Sequence, residues 1–270
     1  MFENKSIIIG VSGGIAAYKT AYLVSTLSKT EADVNVIMTE NACEFISPLV
    51  FETLTGNKCY VDTFDRNFKF DVEHISLAKK ADIFMIAPAT ANVIAKIANG
   101  IADDMLTTTF LASKCKKIVS PAMNTAMFEN QITQDNIAKL NKYGIGVVEP
   151  QNGLLACGDV GAGKMPEPDF LFDVIEREIA REKDMLGKKV LVTAGATMES
   201  LDPVRFLTNH SSGKMGFAIA KEAMLRGAEV TVVKANTTAE IPNFIKIVEV
   251  SSAKDMFDAV TVLSDQQDII

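Results

Sequence analysis

Tryptophan is absent from this 270-residue chain, histidine occurs twice and cysteine four times. Cys43, Cys59, Cys115 and Cys157 form no C-x-x-C pair, and two histidines are too few to complete a zinc site, so no metal ligand set is expected. Cysteines so sparse and so widely spaced also exclude a disulfide framework and point to a reducing compartment. No run of 18 apolar residues occurs, so no transmembrane helix is expected. The start, "MFENKSIIIGVSGG", carries an acid ahead of a short apolar run that glycines interrupt, which does not read as a signal peptide. Lysine and arginine never gather into a stripe: 27 of them are interspersed among 34 acids, leaving a net charge of −7, which argues against a nucleic-acid partner. The expectation is a soluble, cytoplasmic protein that binds neither membrane nor nucleic acid.

Apolar residue is plentiful, at 48% of the chain, enough to fill one large domain or two of ordinary size. "KSIIIGV" reads as a short buried strand, "GGIAAYKTAYLVSTLSK" has helical spacing, and "ADVNVIMT" is a strand again. The alternation continues with a helix over 71–81, a strand "DIFMIAP", a helix "ANVIAKIANG", a helix over 103–113, a strand "KKIVSPA", a helix over 132–143 and a strand "GIGVVEP". This predicts an α/β fold, a flavodoxin- or Rossmann-like doubly wound parallel sheet with helices on both faces. "DFLFDVIEREIAREKDMLG" reads as a charged amphipathic helix, after which strand, glycine-containing loop, helix and strand begin afresh at "KKVLVTAGATMES". A boundary within 183–189 divides the chain into 1–185 and 186–270. The second unit is expected to hold two full strands, a helix over 252–263 and a third strand that begins at "DQQDII", the start of an α/β unit that a longer protein would complete.

Four stretches carry chemistry. "GVSGGIAAYK" follows the first strand and opens a helix, where free backbone N–H groups bind phosphate and glycines let it approach. The spacing is not G-x-G-x-x-G. Through Gly10, Ser12 and Gly14 it matches the G-x-S-x-G elbow of hydrolases, although that elbow usually follows several strands, and His74 and His210 are the sole candidate bases. A tight turn without ligand is the third reading. "GLLACGDVGAGKMPEP" crowds Gly153, Gly158, Gly161 and Gly163 around Cys157: a linker, a phosphate cradle, or a loop that holds a thiol over something reactive. Its G-x-x-x-x-G-K spacing lacks the metal-binding hydroxyl, with Met165 in that place, and Pro166 and Pro168 obstruct a helix start. Asn124 in "PAMNTAMF" and Thr90 and Asn92 in "APATAN" lie just past strand ends, where open α/β sheets bind ligands; turn formation and helix capping are their structural alternatives. His74 shares a helical face with Leu77, Ala78 and Ala81, as a packed histidine also would.

Taken in order, "GVSGGIAAYK", the His74 helix, "APATAN", "PAMNTAMF" and "ACGDVGAGKM" resemble the flavin-containing cysteine decarboxylases, most closely those that act on phosphopantothenoylcysteine. The second unit, "VTAGATMESLDPVRFLTNHSSGKMG", resembles the start of a phosphopantothenate–cysteine ligase. Phe128 stands where the family usually has Trp. The resemblance implies FMN as cofactor, held by Ser12, Gly13, Thr39, Ala89, Thr90 and Asn92 and bordered by Asp103, Met105 and Thr107. It implies catalytic roles for His74, Asn124 and Cys157, and substrate contacts from Asn124, Met127, Ala156 and Gly158. It also implies 4′-phosphopantothenoylcysteine as substrate, a homo-oligomer with sites shared between subunits of a trimer that assembles further, and CTP with Mg2+ for a completed ligase half. A related flavin-binding protein without decarboxylase activity is the alternative.

Overall fold

The computed structural model describes residues 2–64, 73–155, 158 and 160–270. Two compact units divide it, Met1–Ile175 and Glu176–Ile270. The first opens with β1 (Ser6–Val11), α1 (Ala17–Leu27) and β2 (Asp33–Met38), followed by the short helices α2 (Glu40–Cys43) and α3 (Pro48–Thr55) and a two-residue strand, β3 (Cys59–Tyr60). The chain then runs through α4 (Glu73–Lys80), β4 (Ile83–Ala89), α5 (Ala91–Asn99), α6 (Met105–Ala112), β5 (Lys116–Pro121), α7 (Thr125–Glu129), α8 (Gln131–Lys142) and β6 (Gly146–Val147).

These six strands make one parallel sheet in the order β3-β2-β1-β4-β5-β6. β4 is buried along its whole length, as an apolar run in a sheet covered on both faces must be. Ile8, Phe84, Ile86, Leu106 and Phe110 belong to one core cluster, in which the Phe84 and Phe110 rings meet edge-on at 5.1 Å. Gly10 is the small residue this packing needs, since a Cβ there would stand 2.5 Å from Leu106 Cδ1. The sequence changes direction between β1 and β4, one strand leading left to β2 and the other right to β5. Loops that leave the carboxyl ends of such a pair diverge and open a crevice.

Two local expectations are corrected. "GIGVVEP" supplies only the two-residue β6, and the glycine-rich stretch that follows, expected as an irregular loop, contains the antiparallel hairpin β7 (Gln151–Leu154) and β8 (Val160–Lys164). Residues 160–164 are therefore extended, which removes the phosphate-loop reading of "GDVGAGK". Next, α9 (Pro168–Ile179) ends eight residues before Gly187. Beyond it, Lys183 donates to the Leu225 carbonyl at 2.5 Å and Asp184 pairs with Arg226, contacts that a continued helix would not make.

The second unit holds β9 (Lys189–Ala194), a small hairpin of β10 (Met198–Ser200) and β11 (Phe206–Thr208), α10 (Lys214–Leu225), β12 (Glu229–Lys234), β13 (Lys246–Glu249) and α11 (Ala253–Ser264). β13-β12-β9 form a parallel sheet, and Ile269 bridges in parallel to Val190. Its sheet thus has three full strands, where the sequence reading assigned two, and the third strand expected at "DQQDII" is the single bridge of Ile269. The missed strand, "KIVE", is too short and too charged to stand out. Among the described residues no helix is long and apolar enough to cross a membrane.

Candidate functional site

The turn between β1 and α1 lies at the crevice. Gly13 is packed so closely on α2 that a Cβ would stand 2.6 Å from that of Asn41, whereas a Cβ on Gly14 would meet only Thr90 Cγ2, at 3.9 Å. The first backbone bonds of the turn run from Ala17 N–H to Gly14 O and from Lys19 N–H to Ala16 O. Among the described residues, the N–H groups of Gly13, Gly14, Ile15 and Ala16 have no acceptor. Four successive open donors at a helix start form an anion cradle.

Ser12 does not face this cradle. Its side chain is fully buried; its hydroxyl donates to the Pro88 carbonyl at 2.7 Å and accepts from Thr90 N–H at 3.0 Å. It ties the turn after β1 to the turn after β4, and with both its hydrogen bonds made inside the protein it cannot be a hydrolase nucleophile. Thr90 caps α5, its hydroxyl accepting from Val93 N–H. Thr39 likewise caps α2 at the end of β2.

A cavity of about 430 Å3 opens over the turn. Its floor is Gly13, Gly14 and Thr90, one wall is Met123, Asn124 and Met127, and another is Leu154, Gly163 and Lys164 of the hairpin. The glycines explain how the hairpin reaches this wall. Met123 N–H donates to the Gly163 carbonyl at 3.1 Å, Gly163 has φ +131°, and a side chain there would collide with the Met123 carbonyl. A Cβ on Gly161 would stand 2.6 Å from Thr125 Oγ1. β8 therefore lies backbone against backbone on the "PAMN" turn. Asn124 caps α7, its Oδ1 accepting from Ala126 N–H at 2.9 Å, so its side chain is oriented by the turn.

Lys19, Lys164 and Glu167 add a charged group that was not legible in the sequence. Lys19 Nζ lies 2.8 Å and Lys164 Nζ 3.3 Å from Glu167 Oε1. The hydrogen bond from Lys19, aided by Lys164, holds the Glu167 carboxyl below the usual carboxylate range. One lysine comes from α1 and the other from β8, so the carboxylate joins the anion cradle to the hairpin. The available signal was the lysine one turn into the helix after "SGG".

The structure thus brings Gly13, Thr90, Asn124 and Met127 together. It leaves the side chains of Ser12 and Ala89 buried behind the cavity, and Thr39 and Asn92 do not line it. Three expected flavin neighbours are also elsewhere in the subunit. Met105 and Thr107 are 1% exposed, Thr107 closing a capping box with Asp104, and Asp103 pairs with Lys96 at 2.7 Å. His74 is half-buried on α4 and does not line the cavity; Gly158, with φ +90°, is exposed beside the hairpin. Ala156 and Cys157 lie outside the described residues. The three described cysteines are free thiols. Burial pushes all three upward, Cys59 to about 12, so none is poised as a thiolate.

The model of the family named Flavoprotein matches residues 1–180, and that of the DNA/pantothenate metabolism flavoprotein C-terminal domain matches 185–270. The chain belongs to the flavoprotein family. Among curated members, it is 44% identical to the coenzyme A biosynthesis bifunctional protein CoaBC of Bacillus subtilis (strain 168) over 273 residues, covering 100% of this chain and 67% of that protein. It is 44% identical to the protein of the same name from Vibrio vulnificus (strain YJ016), covering 98% and 66%. The chain spans about two thirds of the length of these relatives. Similar solved structures of the family include a cysteine-to-serine mutant of PPC decarboxylase complexed with pantothenoylaminoethenethiol, 30% identical with a TM-score of 0.58, covering 63% of this chain and 96% of that one. The FMN binding protein AtHal3 is 30% identical with a TM-score of 0.56, covering 64% and 95%.

The cavity is suited to the group that the family carries. Open amides at a helix start match a phosphate, and the apolar walls of Ile15, Met123 and Leu154 match a flat ring system. A second cavity, of about 400 Å3 in the other unit, is lined by Gly195, Ser212, Gly213 and Lys214 at the start of α10.

Proposed function

We propose that this chain is an FMN-dependent lyase that decarboxylates 4′-phosphopantothenoylcysteine to 4′-phosphopantetheine. The observation that carries the reading is the seating of β8 on the Met123–Asn124 turn, which makes the "PAMN" motif and the glycine-rich hairpin two sides of one cavity above an anion cradle. The CoaBC relatives and the FMN-binding neighbour support it.

The carbon that loses CO2 bears an amide nitrogen and cannot by itself hold the electron pair left behind. FMN held here by its phosphate would supply reversible hydride acceptance beside the CH2–SH carbon. The substrate is then a thioaldehyde, its C=S group takes up the electrons as CO2 leaves, and an ene-thiolate results. A hydride on one carbon and a proton on the other restore the saturated aminothiol with no net redox change. The amides of Gly13–Ala16 hold the cofactor phosphate. Asn124 directs its amide to the substrate carboxylate, a neutral contact that does not overstabilise the charge that disappears in the transition state. A cysteine thiol of ordinary acidity is mostly protonated at neutral pH, and Cys157 supplies the final proton. His74 and Asp103, which do not line this cavity, serve a neighbouring copy's site in a homo-oligomeric, trimeric assembly. In a longer protein, the turn at Gly213 and Lys214 contributes to a CTP and Mg2+ site for ligation.

The test is turnover of 4′-phosphopantothenoylcysteine by the flavin-loaded protein, followed by CO2 release. Cys157→Ser is expected to release CO2 yet stall at the ene-thiol. The mutant PPC decarboxylase with its aminoethenethiol ligand is consistent with such a block. A yellow protein that binds the substrate but releases no CO2 would establish the alternative, a flavin-binding relative without decarboxylase activity.

A further inference from the structure

A second cavity in the first unit, of about 430 Å3, lies where α5 ends, β5 begins and α8 ends. Its walls include Ile97, Phe110, Leu111 and Ile145, and two lysines, Lys117 and Lys139, line it as well. Lys117 is half-buried with Nζ 5.0 Å from the centroid of the Phe110 ring, and among the described residues it has neither a hydrogen bond nor an ion pair. Lys139 Nζ donates to Asn99 Oδ1 at 2.9 Å and meets no carboxylate among the described residues. Scarcity of acid is not the reason, because the chain carries a net charge of −7. Lys96, one turn before Asn99 on the same helix, pairs with both Asp103 and Asp104, at 2.7 and 3.3 Å. An ammonium withdrawn from water without a counter-charge is disfavoured, and burial does push the Lys117 ammonium down. A ligand anion between the two lysines would offset that cost, and the apolar walls would accept whatever carries the anion.

We propose that this cavity is a second small-molecule site, for a monoanionic or dianionic group, phosphate monoester or carboxylate, carried on a compact aromatic or aliphatic body. It is distinct from the cavity over the β1 turn, which lies at the other ends of the same elements. α5 runs from Thr90 at the first cavity to Asn99 at the second, and β5 begins with Lys117 at the second and leads into Met123 and Asn124 at the first. The nine residues of α5 separate the two sites by about 14 Å.

The experiment titrates the FMN-loaded full chain with phenyl phosphate, inorganic phosphate and benzyl alcohol by calorimetry. Phenyl phosphate is expected to bind about tenfold more tightly than either control, because only it satisfies both the ammonium groups and the apolar wall. Lys117→Met, which keeps the stem over Phe110, and Lys139→Met are each expected to weaken it by about tenfold while the flavin spectrum is unchanged. Lys116→Met, one residue outside the cavity, is expected to leave it unaltered. Equal binding by the wild type and both variants would place the phosphate elsewhere and overturn the proposal. So would the absence of phenyl phosphate binding in the millimolar range. Should Lys117→Met not fold, Lys139→Met alone decides.

Discussion

Gly163 carries the closest approach in the candidate site. With φ +131° and the Met123 carbonyl where a Cβ would go, Gly163→Ala must lift β8 off the "PAMN" turn. The variant is expected to keep FMN, held from the opposite wall, while kcat/KM falls roughly 100-fold, the scale of an ångström misplacement of a positioning group. Absorbance of the purified variant and its turnover check the two halves separately. Asn124→Asp is expected to retain flavin and to lose about 100-fold in kcat/KM, since its carboxylate would oppose that of the substrate where a donor is needed. Near-normal turnover would remove Asn124 from the site. At this scale the sequence was partly legible. Gly13, Thr90, Asn124 and Met127 are in the cavity, and their motifs follow strand ends as ligand residues of open sheets do. For Ser12 the motif gives the residue and not the direction of its hydroxyl, which bonds Pro88 and Thr90 inside the protein. Met105 and Thr107 are buried at the start of α6, and "DDMLTT" gives no sign in the sequence that it caps and begins a core helix.

The elements that sequence periodicity resolved are those whose burial is continuous. β1, β2, β4 and β5 are apolar runs in the middle of the sheet, and α8 and α11 fall within one residue of the expected 132–143 and 252–263. The hairpin β7–β8 escaped because its strands, QNGL and VGAGK, are short and glycine-rich, and Gly161 and Gly163 serve close approach to Met123–Thr125 rather than strand propensity. α2 and α3 escaped because each is short and is fixed by its cap, at Thr39 and Ser47. α6 offers the corresponding test of a cap. Asp104 accepts from Thr107 N–H at 2.8 Å and also pairs with Lys96. Asp104→Ala is expected to destabilise the protein by about 1 kcal/mol, lowering Tm by roughly 2–4 °C, with FMN affinity unchanged. A calorimetric scan with and without FMN checks both statements.

For the whole molecule, the doubly wound sheet was legible as a class from the alternation of buried strands and amphipathic helices. Strand order and the crevice between β1 and β4 came only with the structure, because pairing of distant segments leaves no local trace. Cofactor linkage is the prediction at this scale. FMN at 100 times its dissociation constant is expected to stabilise the native state by about 2.7 kcal/mol, seen as a rise in Tm. A colourless protein whose Tm does not respond to FMN would remove the cofactor from the reading. The sheet order also sets a timetable for synthesis. β1 is translated before the strands it pairs with and lies at the centre of the sheet, paired with β2 on one edge, and Ser6 N–H reaches its partner Asp82 only 76 residues later. At ribosomal speeds of about 5–20 residues per second, the other edge of β1 stays open on the nascent chain for roughly 4–15 seconds. In that interval "SIIIGV" is a natural segment for a ribosome-bound chaperone to cover, and β4 is the strand that releases it.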